Sequence, residues 1–186
     1  MASIAVVYHS GYGHTQRQAQ AVAEGAGAQL IAIDADGNLP EGSWEQLAAA
    51  DAIIFGSPTY MGGPSWQFKK FADASSKQWY VQEWKDKVAA GFTNSGGMSG
   101  DKFNTLVALF ALAMQHGMIW VSQGLMPSNY KASKRDDVNY LVSYAGAMAA
   151  SPVDVGAEGM SPGDLETARQ FGRRVAEVTA RLKVAP

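Results

Sequence analysis

The chain has 186 residues, of which 47% are hydrophobic and 17% charged, a composition typical of a globular domain with a sizeable core. Its 15 basic and 17 acidic residues give a net charge of −2, and no basic run indicates a nucleic-acid partner. The lack of cysteine excludes disulfides, thiol catalysis and zinc–thiolate sites.

The sequence carries no pattern typical of export or membrane insertion. An apolar run of strand length begins almost at once, at Ile4, without the basic and apolar regions of a signal peptide. The longest apolar run, residues 106–114, is too short to cross a bilayer. We therefore expect one domain over residues 1–186, located in the cytoplasm, with no nucleic-acid partner and no membrane insertion.

Strand and helix patterns alternate along the chain. After the first strand, which begins at Ile4, apolar runs predict strands at residues 30–33, 51–56, 87–92 and 118–121. Helical spacing of apolar residues predicts helices between them, and Pro64 is expected at the first position of the helix after the third strand. The next helix is expected to bury the apolar residues Phe103, Leu106, Val107, Phe110, Ala111 and Met114.

The pattern is less regular over residues 122–159, a length that is uncommon for a loop without a function. Residues 146–149 are expected to resume the fifth strand after this excursion. The run from Ser161 to Asp164 then predicts the start of a last helix, with a cap, a proline and an acidic third position. Together these elements predict an α/β fold, a doubly wound five-stranded parallel sheet of order 2-1-3-4-5.

A Gly-rich loop joins the first strand to the first helix. Backbone N–H groups and the helix dipole favour an anion at such a turn, and two hydroxyl groups are available. The Walker A pattern is absent, and a dinucleotide fingerprint would place glycine or alanine where Gln16 stands. The loop is either a plain turn or a monophosphate site formed by Ser10, Gly11, Tyr12, Gly13, His14 and Thr15.

Two further loops follow the third and fourth strands, so the parallel sheet places them at the same edge as the first loop. One contains Pro58, Thr59, Tyr60, Met61 and Gly62; the other contains Thr93, Asn94, Ser95, Gly96, Gly97, Met98 and Ser99. Aromatic and thioether groups beside backbone donors suit a flat heteroaromatic ring. A phosphate at one loop and a ring at the other two predict FMN as the cofactor. Trp79 and Tyr80 are either further residues that contact this ring or half-buried aromatic residues of the surface.

The chain resembles the flavodoxin-like, WrbA-type NAD(P)H:quinone oxidoreductases. The resemblance is carried by residues 8–15, 53–60 and 115–118, and it extends to residues 163–169. The resemblance implies that residues 10–15 hold the FMN phosphate and that residues 59–61 and 94–99 hold the isoalloxazine. It implies that Tyr12 helps to hold the nicotinamide nucleotide and that Trp79 borders the substrate space. It also implies NADH or NADPH as co-substrate and a quinone or a free flavin as acceptor.

Two positions depart from the family pattern. The family often has two histidines before the fifth strand, the first near the flavin, whereas this chain has Gln115 followed by His116. Gln115 can still donate a hydrogen bond to the flavin but does not titrate near neutral pH, and His116 is either a substrate-site residue or a packing histidine. The connection over residues 34–51 is shorter than in tetrameric members, so we expect a homodimer or a higher homo-oligomer.

Two functions are compatible with these patterns. The first is an FMN-dependent oxidoreductase that takes a hydride from NAD(P)H and reduces a quinone or a free flavin by a ping-pong mechanism. The second is a flavodoxin-type electron carrier without a small-molecule substrate. Carriers of that type usually have a strongly acidic surface, and this chain is only mildly acidic. The sequence therefore favours the enzyme.

Overall fold

The computed structural model describes residues 2–184. In this part of the chain the strands are β1 (Ile4–His9), β2 (Gln29–Ile33), β3 (Ala52–Tyr60), β4 (Gly63–Pro64), β5 (Val88–Ser95), β6 (Ile119–Trp120) and β7 (Ala147–Ala150). The helices are α1 (His14–Ala26), α2 (Ser43–Ala49), α3 (Trp66–Ala74), α4 (Ser76–Tyr80), α5 (Lys102–Gln115) and α6 (Pro162–Val184), with a 3₁₀ turn at Ala157–Gly159. Among the helices of residues 2–184, none is long and apolar enough to span a bilayer.

The sheet confirms the expected doubly wound order. Its strands lie in the order β2-β1-β3-β5-β6, which is the predicted order because β4 is only a two-residue strand antiparallel to β3. The fifth strand is interrupted as expected: β6 pairs with the start of β5 and β7 pairs with its end, both in parallel. The chain between β6 and β7 leaves the sheet and returns to it.

Both faces of the sheet are covered, which explains why the central strands are apolar throughout. Alternate side chains such as Val6 and Ile54 pack under α1 and α6, in a cluster that includes Phe171. The intervening side chains, such as Val7 and Phe55, pack under α2, α3 and α5. A strand buried on both faces fixes its register firmly, and this places the loops that follow β1, β3 and β5 at one edge.

β3 and β5 run further than the sequence predicts. They stay paired to Pro58 and Asn94, where a loop is expected from the polar composition. Pro64 is not at the first position of a helix, because Thr59 pairs with it across β3 and β4. Instead, Ser65 caps α3 and its Oγ accepts a hydrogen bond from the Phe68 N–H at 3.3 Å.

The buried face predicted for α5 is mostly wrong, since only one of the six predicted residues is buried. Leu106 packs in the core, together with Leu109 and Ala113, which the prediction omits. The other predicted residues point outwards, and Phe103 is 62% exposed. The helix is apolar on more than one side, so periodicity alone did not identify the side that faces the sheet. The exposed stripe of α5 consists of Phe103, Val107, Phe110 and Met114.

The last helix begins where the sequence predicts, at Pro162, with Asp164 as the acidic residue of its first turn. Its carboxylate accepts a hydrogen bond from the Ala150 N–H at 2.8 Å and another from Arg135 Nη1 at 2.8 Å. Asp164 therefore ties the start of α6 to the end of β7 and to the excursion. This contact fixes where the chain passes beside the ends of the strands.

α1 and α6 pack against each other at a distance that two glycines allow. A methyl group at Gly25 would overlap the carbonyl oxygen of Arg169, and one at Gly172 would overlap that of Val22. The two helix backbones are therefore almost in contact, and this contact holds α6 against the sheet under the first loop.

We predict that Gly25→Ala destabilises the fold by about 3 kcal/mol, because the added methyl meets a backbone atom that has no room to move. The measurement is urea unfolding followed by circular dichroism. Gly63→Ala is the control, since nothing lies within 4 Å of a methyl group at that position. Equal stability of Gly25→Ala and wild type would contradict the close approach of the helices.

Candidate functional site

A cavity of about 820 Å³ lies at the carboxyl ends of β1, β3 and β5. Its volume is within the range of small-molecule and cofactor sites. All three predicted loops contribute to it, together with a segment that follows β7. Its lining consists of Ser10, Tyr12, His14, Thr15, Pro58, Thr59, Tyr60, Met61, Asn94, Ser95, Gly96, Ser151, Val153, Val155 and Gly156.

The loop between β1 and α1 has the features of an anion site. Gly13 has a φ of 87°, a left-handed conformation that favours glycine, and its N–H donates to Ser10 Oγ at 3.1 Å. α1 has 13 residues and no acidic side chain in its first turn, so nothing there repels an anion. The backbone N–H groups of the loop, with the hydroxyl groups of Ser10 and Thr15, fit a phosphate group.

Aromatic side chains stand at the mouth of the cavity. The rings of Tyr12 and Tyr60 meet edge to face at 6.2 Å, and the Tyr60 hydroxyl lies against Gly11, where it would overlap an added methyl group. Burial raises the pKa of Tyr60 above its usual value. Tyr12 is 80% exposed, and Met61, in a left-handed conformation with a φ of 48°, is fully exposed. We call Tyr12, Tyr60 and Met61 the rim.

Buried hydroxyl groups form the floor between the second and third loops. The Thr59 hydroxyl donates to Thr105 Oγ1 at 2.8 Å and lies 2.8 Å from Thr93 Oγ1. Beside them, Ser151 Oγ donates to the side-chain oxygen of Asn94 at 2.8 Å. These bonds satisfy the polar groups that continue β3 and β5 beyond the apolar core, which explains why the strands extend so far.

The segment over residues 151–157, which we call the strap, links the first loop to the third. His14 Nε2 donates to the Val155 carbonyl oxygen at 2.9 Å, and the Ser151 N–H donates to the Ser95 carbonyl oxygen at 3.0 Å. The sequence analysis did not identify Ser151, Val153, Val155 or Gly156 as site residues. The only available signal was the unusual length of the excursion that contains them.

The structure does not bring every expected residue to this cavity. Gln115 is exposed at the end of α5 and faces a separate groove beside Phe68 and Lys69. Trp79 is half-exposed on α4 and, like Met98 and Ser99, is not part of the cavity lining. Met98 and Ser99 border a second cavity, of about 560 Å³, beyond the third loop. Five other expected residues belong to the loops around the cavity but do not line it: Gly11, Gly13, Gly62, Thr93 and Gly97.

His116 lies in the core, away from the cavity lining. Its ring stacks on Trp84 at 4.3 Å, and its Nε2 donates to Ser75 Oγ at 2.9 Å, because the Ser75 hydroxyl itself donates to the Ala72 carbonyl. Within the described residues its Nδ1 has no hydrogen-bond partner. Burial lowers the pKa of His116 to about 4, so the ring is neutral at physiological pH. This environment is that of a packing histidine.

A buried lysine stands behind the third loop. Lys102, at the start of α5, is fully buried; its Nζ donates to Ser95 Oγ at 2.9 Å and also to the Gly97 carbonyl oxygen. Burial lowers the pKa of Lys102 to about 8, while attraction to Asp164 acts in the opposite direction. The side chain is therefore mostly charged at neutral pH. No pattern in the sequence indicates that this lysine is buried, since lysine is rarely fully buried.

Comparison with known proteins agrees with this architecture. Residues 13–132 match the model of a family described as NADPH-dependent FMN reductase. The chain is 53% identical to "Flavodoxin FldP" of Pseudomonas aeruginosa, over 98% of this chain and 99% of that protein. It is 31% identical to an "NAD(P)H dehydrogenase (quinone)" of Paracoccus denitrificans, over 98% and 96% of the two chains. A flavodoxin, WrbA-like protein from Agrobacterium tumefaciens has a crystal structure with a TM-score of 0.81 and 56% identity, covering 97% and 99%.

We predict that the buried, neutral state of His116 makes the fold less stable in acid. Its pKa is lower in the folded chain than in the unfolded chain, where it is about 6.5, so the unfolded chain takes up the proton first. Stability should therefore fall as the pH decreases from about 6.5 towards 4. Between pH 7 and pH 5 we expect His116 to account for a loss of about 1–2 kcal/mol.

Urea unfolding at pH 7 and pH 5 measures this loss in wild type and in His116→Gln, where it should shrink. His9, whose pKa burial also lowers, is present in both proteins and leaves a common background. His14→Gln controls for the removal of an imidazole at the site itself. The same pH dependence in His116→Gln and wild type would contradict the prediction.

We also predict that the double variant Ser10→Ala, Thr15→Ala binds FMN at least tenfold more weakly than wild type. Each hydroxyl would donate a hydrogen bond to a charged phosphate, worth about 1.5–3 kcal/mol. Fluorescence titration of the apoprotein measures the affinity. Riboflavin, which lacks the phosphate, is the matched control ligand, and its affinity should stay the same. An unchanged FMN affinity would show that the phosphate lies elsewhere.

Proposed function

We propose, since this chain belongs to the NADPH-dependent FMN reductase family of flavodoxin-like, WrbA-type flavoproteins, that it is an FMN-dependent oxidoreductase. It would oxidise NADH or NADPH and reduce a quinone or a free flavin. The observation that carries this proposal is the cavity formed by the three loops, in which the glycine-rich first loop meets exposed aromatic and thioether side chains.

In this proposal the protein binds and orients, and the cofactor carries the redox chemistry. The loop over residues 10–15 would hold the phosphate, and residues 58–62 with residues 93–97 would hold the ring. Bound FMN supplies the ability to accept a hydride from NAD(P)H and to pass two electrons to an acceptor. The strap would close the cavity between phosphate and ring and keep water from its inner part.

The rim is the surface on which a flat substrate can stack. Tyr12 and Met61 are well exposed, so both a nicotinamide and a quinone can reach the same opening. The cavity has one such rim, which supports alternating occupation by the two substrates and hence ping-pong kinetics. The proposal assigns no acid or base to the chain, because the titratable side chains in the lining are His14 and the tyrosines Tyr12 and Tyr60.

A second candidate is the electron carrier. It is favoured by the name of the Pseudomonas aeruginosa relative, which is described as a flavodoxin. It is disfavoured by the lining of the cavity, in which there is no carboxylate that would make bound flavin harder to reduce. The net charge of −2 also gives little long-range attraction for a basic partner.

We further propose that the chain forms a homodimer or a higher homo-oligomer. The exposed stripe of α5 supports this, since four large apolar residues on one helix are more than an isolated surface usually shows. Light scattering at micromolar concentration gives the mass directly. A monomer at that concentration would contradict the proposal, and it would leave the redox function untouched.

We expect steady-state oxidation of NADH or NADPH by the holoprotein to accelerate strongly when benzoquinone is added. Varying both substrates should give parallel double-reciprocal lines, because each leaves the rim before the other arrives. Intersecting lines would exclude alternation at one rim. Binding of FMN without oxidation of either nucleotide would instead support the electron carrier.

We predict that Tyr12→Ala raises the KM for benzoquinone severalfold and leaves the affinity for oxidised FMN within about twofold. An exposed aromatic side chain contributes stacking to a visiting substrate, worth about 0.5–1.5 kcal/mol, and little to a phosphate site. Trp79→Ala removes a half-exposed aromatic side chain outside the cavity lining and serves as the control. A raised KM in Trp79→Ala alone would favour the role that the family resemblance implies for Trp79.

A further inference from the structure

We infer that Lys102 is a buried cation that favours the reduced, negatively charged state of a flavin bound in the cavity, acting through the third loop. This inference rests on the proposed function, because it presupposes that the ring lies against Ser95 and Gly96. Lys102 is not proposed to touch the cofactor. It is a positioning residue that also supplies a charge.

The position of the ammonium group is the first argument. Nζ of Lys102 bonds to Ser95 Oγ, and Ser95 lines the cavity, so one hydroxyl group separates the cation from the bound ring. The second bond, to the Gly97 carbonyl, holds the turn of the same loop. The Lys102 side chain is buried and held by two neutral acceptors, so its charge is screened less than that of an exposed lysine.

The charges around Lys102 are the second argument. Asp164, which is also buried, is already paired with Arg135, so this pair is close to neutral as a unit. Tyr140 lies under the Arg135 guanidinium at 5.9 Å, and Asp101, beside Lys102 on the same turn, is exposed. Lys102 therefore leaves about one uncompensated positive charge behind the third loop.

The cavity itself adds no charge that would cancel this field. Its lining contains no aspartate, glutamate, lysine or arginine among the described residues. A hydride carries one hydrogen nucleus and two electrons, so a neutral ring that accepts it from NAD(P)H becomes an anion and leaves NAD(P)⁺. The field of Lys102 stabilises that anion relative to the neutral oxidised ring, and so makes the hydride transfer more favourable.

The inference also explains why this position holds a lysine at all. Burying an ammonium group is costly unless its bonds are satisfied, and three donors here find two acceptors of modest strength. An uncharged side chain that packs well would be better for stability alone. A functional use of the charge accounts for its retention.

The test compares Lys102→Gln, which keeps a donor for the loop but removes the charge, with wild type and with Lys77→Gln. Lys77 is exposed on α4, so that control makes the same change in net charge away from the cavity. The measured quantities are the affinity for oxidised FMN and the midpoint potential of bound FMN, from reductive titration against a reference dye.

In Lys102→Gln we expect the affinity for reduced FMN relative to oxidised FMN to fall about tenfold, a decrease of about 30 mV for a two-electron couple. The affinity for oxidised FMN should change less than threefold, and Lys77→Gln should match wild type. An unchanged potential would overturn the inference, and so would weaker binding of oxidised FMN with an unchanged potential, which indicates only a structural role for the lysine.

The wild-type holoprotein provides a measurement that does not depend on the folding of any variant. The absorption spectrum of reduced FMN reports whether it is neutral or anionic, and a pH titration gives its pKa in the protein. We expect this pKa to lie below that of free reduced FMN, and an equal or higher value would overturn the inference. If the protein binds FMN but oxidises neither nucleotide, the proposed function fails, whereas both measurements still decide the role of Lys102.

Discussion

The parallel pairing of β1, β3 and β5 is the constraint on which the site depends. Their register sets Tyr8 opposite Gly56 and Gly56 opposite Phe92, deep in a core covered by helices on both faces. Because all three strands run in one direction, their ends deliver three loops to one edge. The hydroxyl bonds between Thr59, Thr93 and Thr105 extend this order beyond the apolar core. The cavity thus rests on rigid strands, and its exposed lining lies in the loops and the strap, for example at Tyr12, Met61 and Val153.

The fold was largely predictable from the sequence, because hydrophobic patterning determines it. Buried parallel strands are continuous apolar runs, and the return of the fifth strand was visible in the small residues that became β7. It was harder to predict which side of a helix faces the sheet. α5 is apolar on two sides, and only tertiary packing shows that Phe103 and Phe110 face outwards. Likewise, the sequence pattern makes Asp164 an acidic residue of the first helical turn, whereas in the structure its carboxylate joins Arg135 to β7.

The candidate site was predictable where local chain geometry creates it and not where distant segments meet. The loop between β1 and α1 has its own signature of glycines and hydroxyls. Lys102 and Val155 carry no such local sequence signature, since their contacts are recognised only in the folded structure. His116 shows the opposite case: the sequence left open a substrate-site residue or a packing histidine, and its contact with Trp84 and its bond to Ser75 place it in the core. Residue type and position therefore proposed candidate site residues, and their burial in the structure shows which of them can reach the cavity.

The strap has a consequence for how the protein acquires its cofactor during synthesis. His14 and Val155, which hold the two ends of the cavity together, are 141 residues apart, so this contact forms only when most of the chain has left the ribosome. Contacts of such high sequence separation form late in folding, since a long loop must close first. The loop between β1 and α1 is therefore synthesised early, but its contact with the strap forms last. A nascent or truncated chain that ends before the strap would display this loop without the segment that covers it in the folded protein.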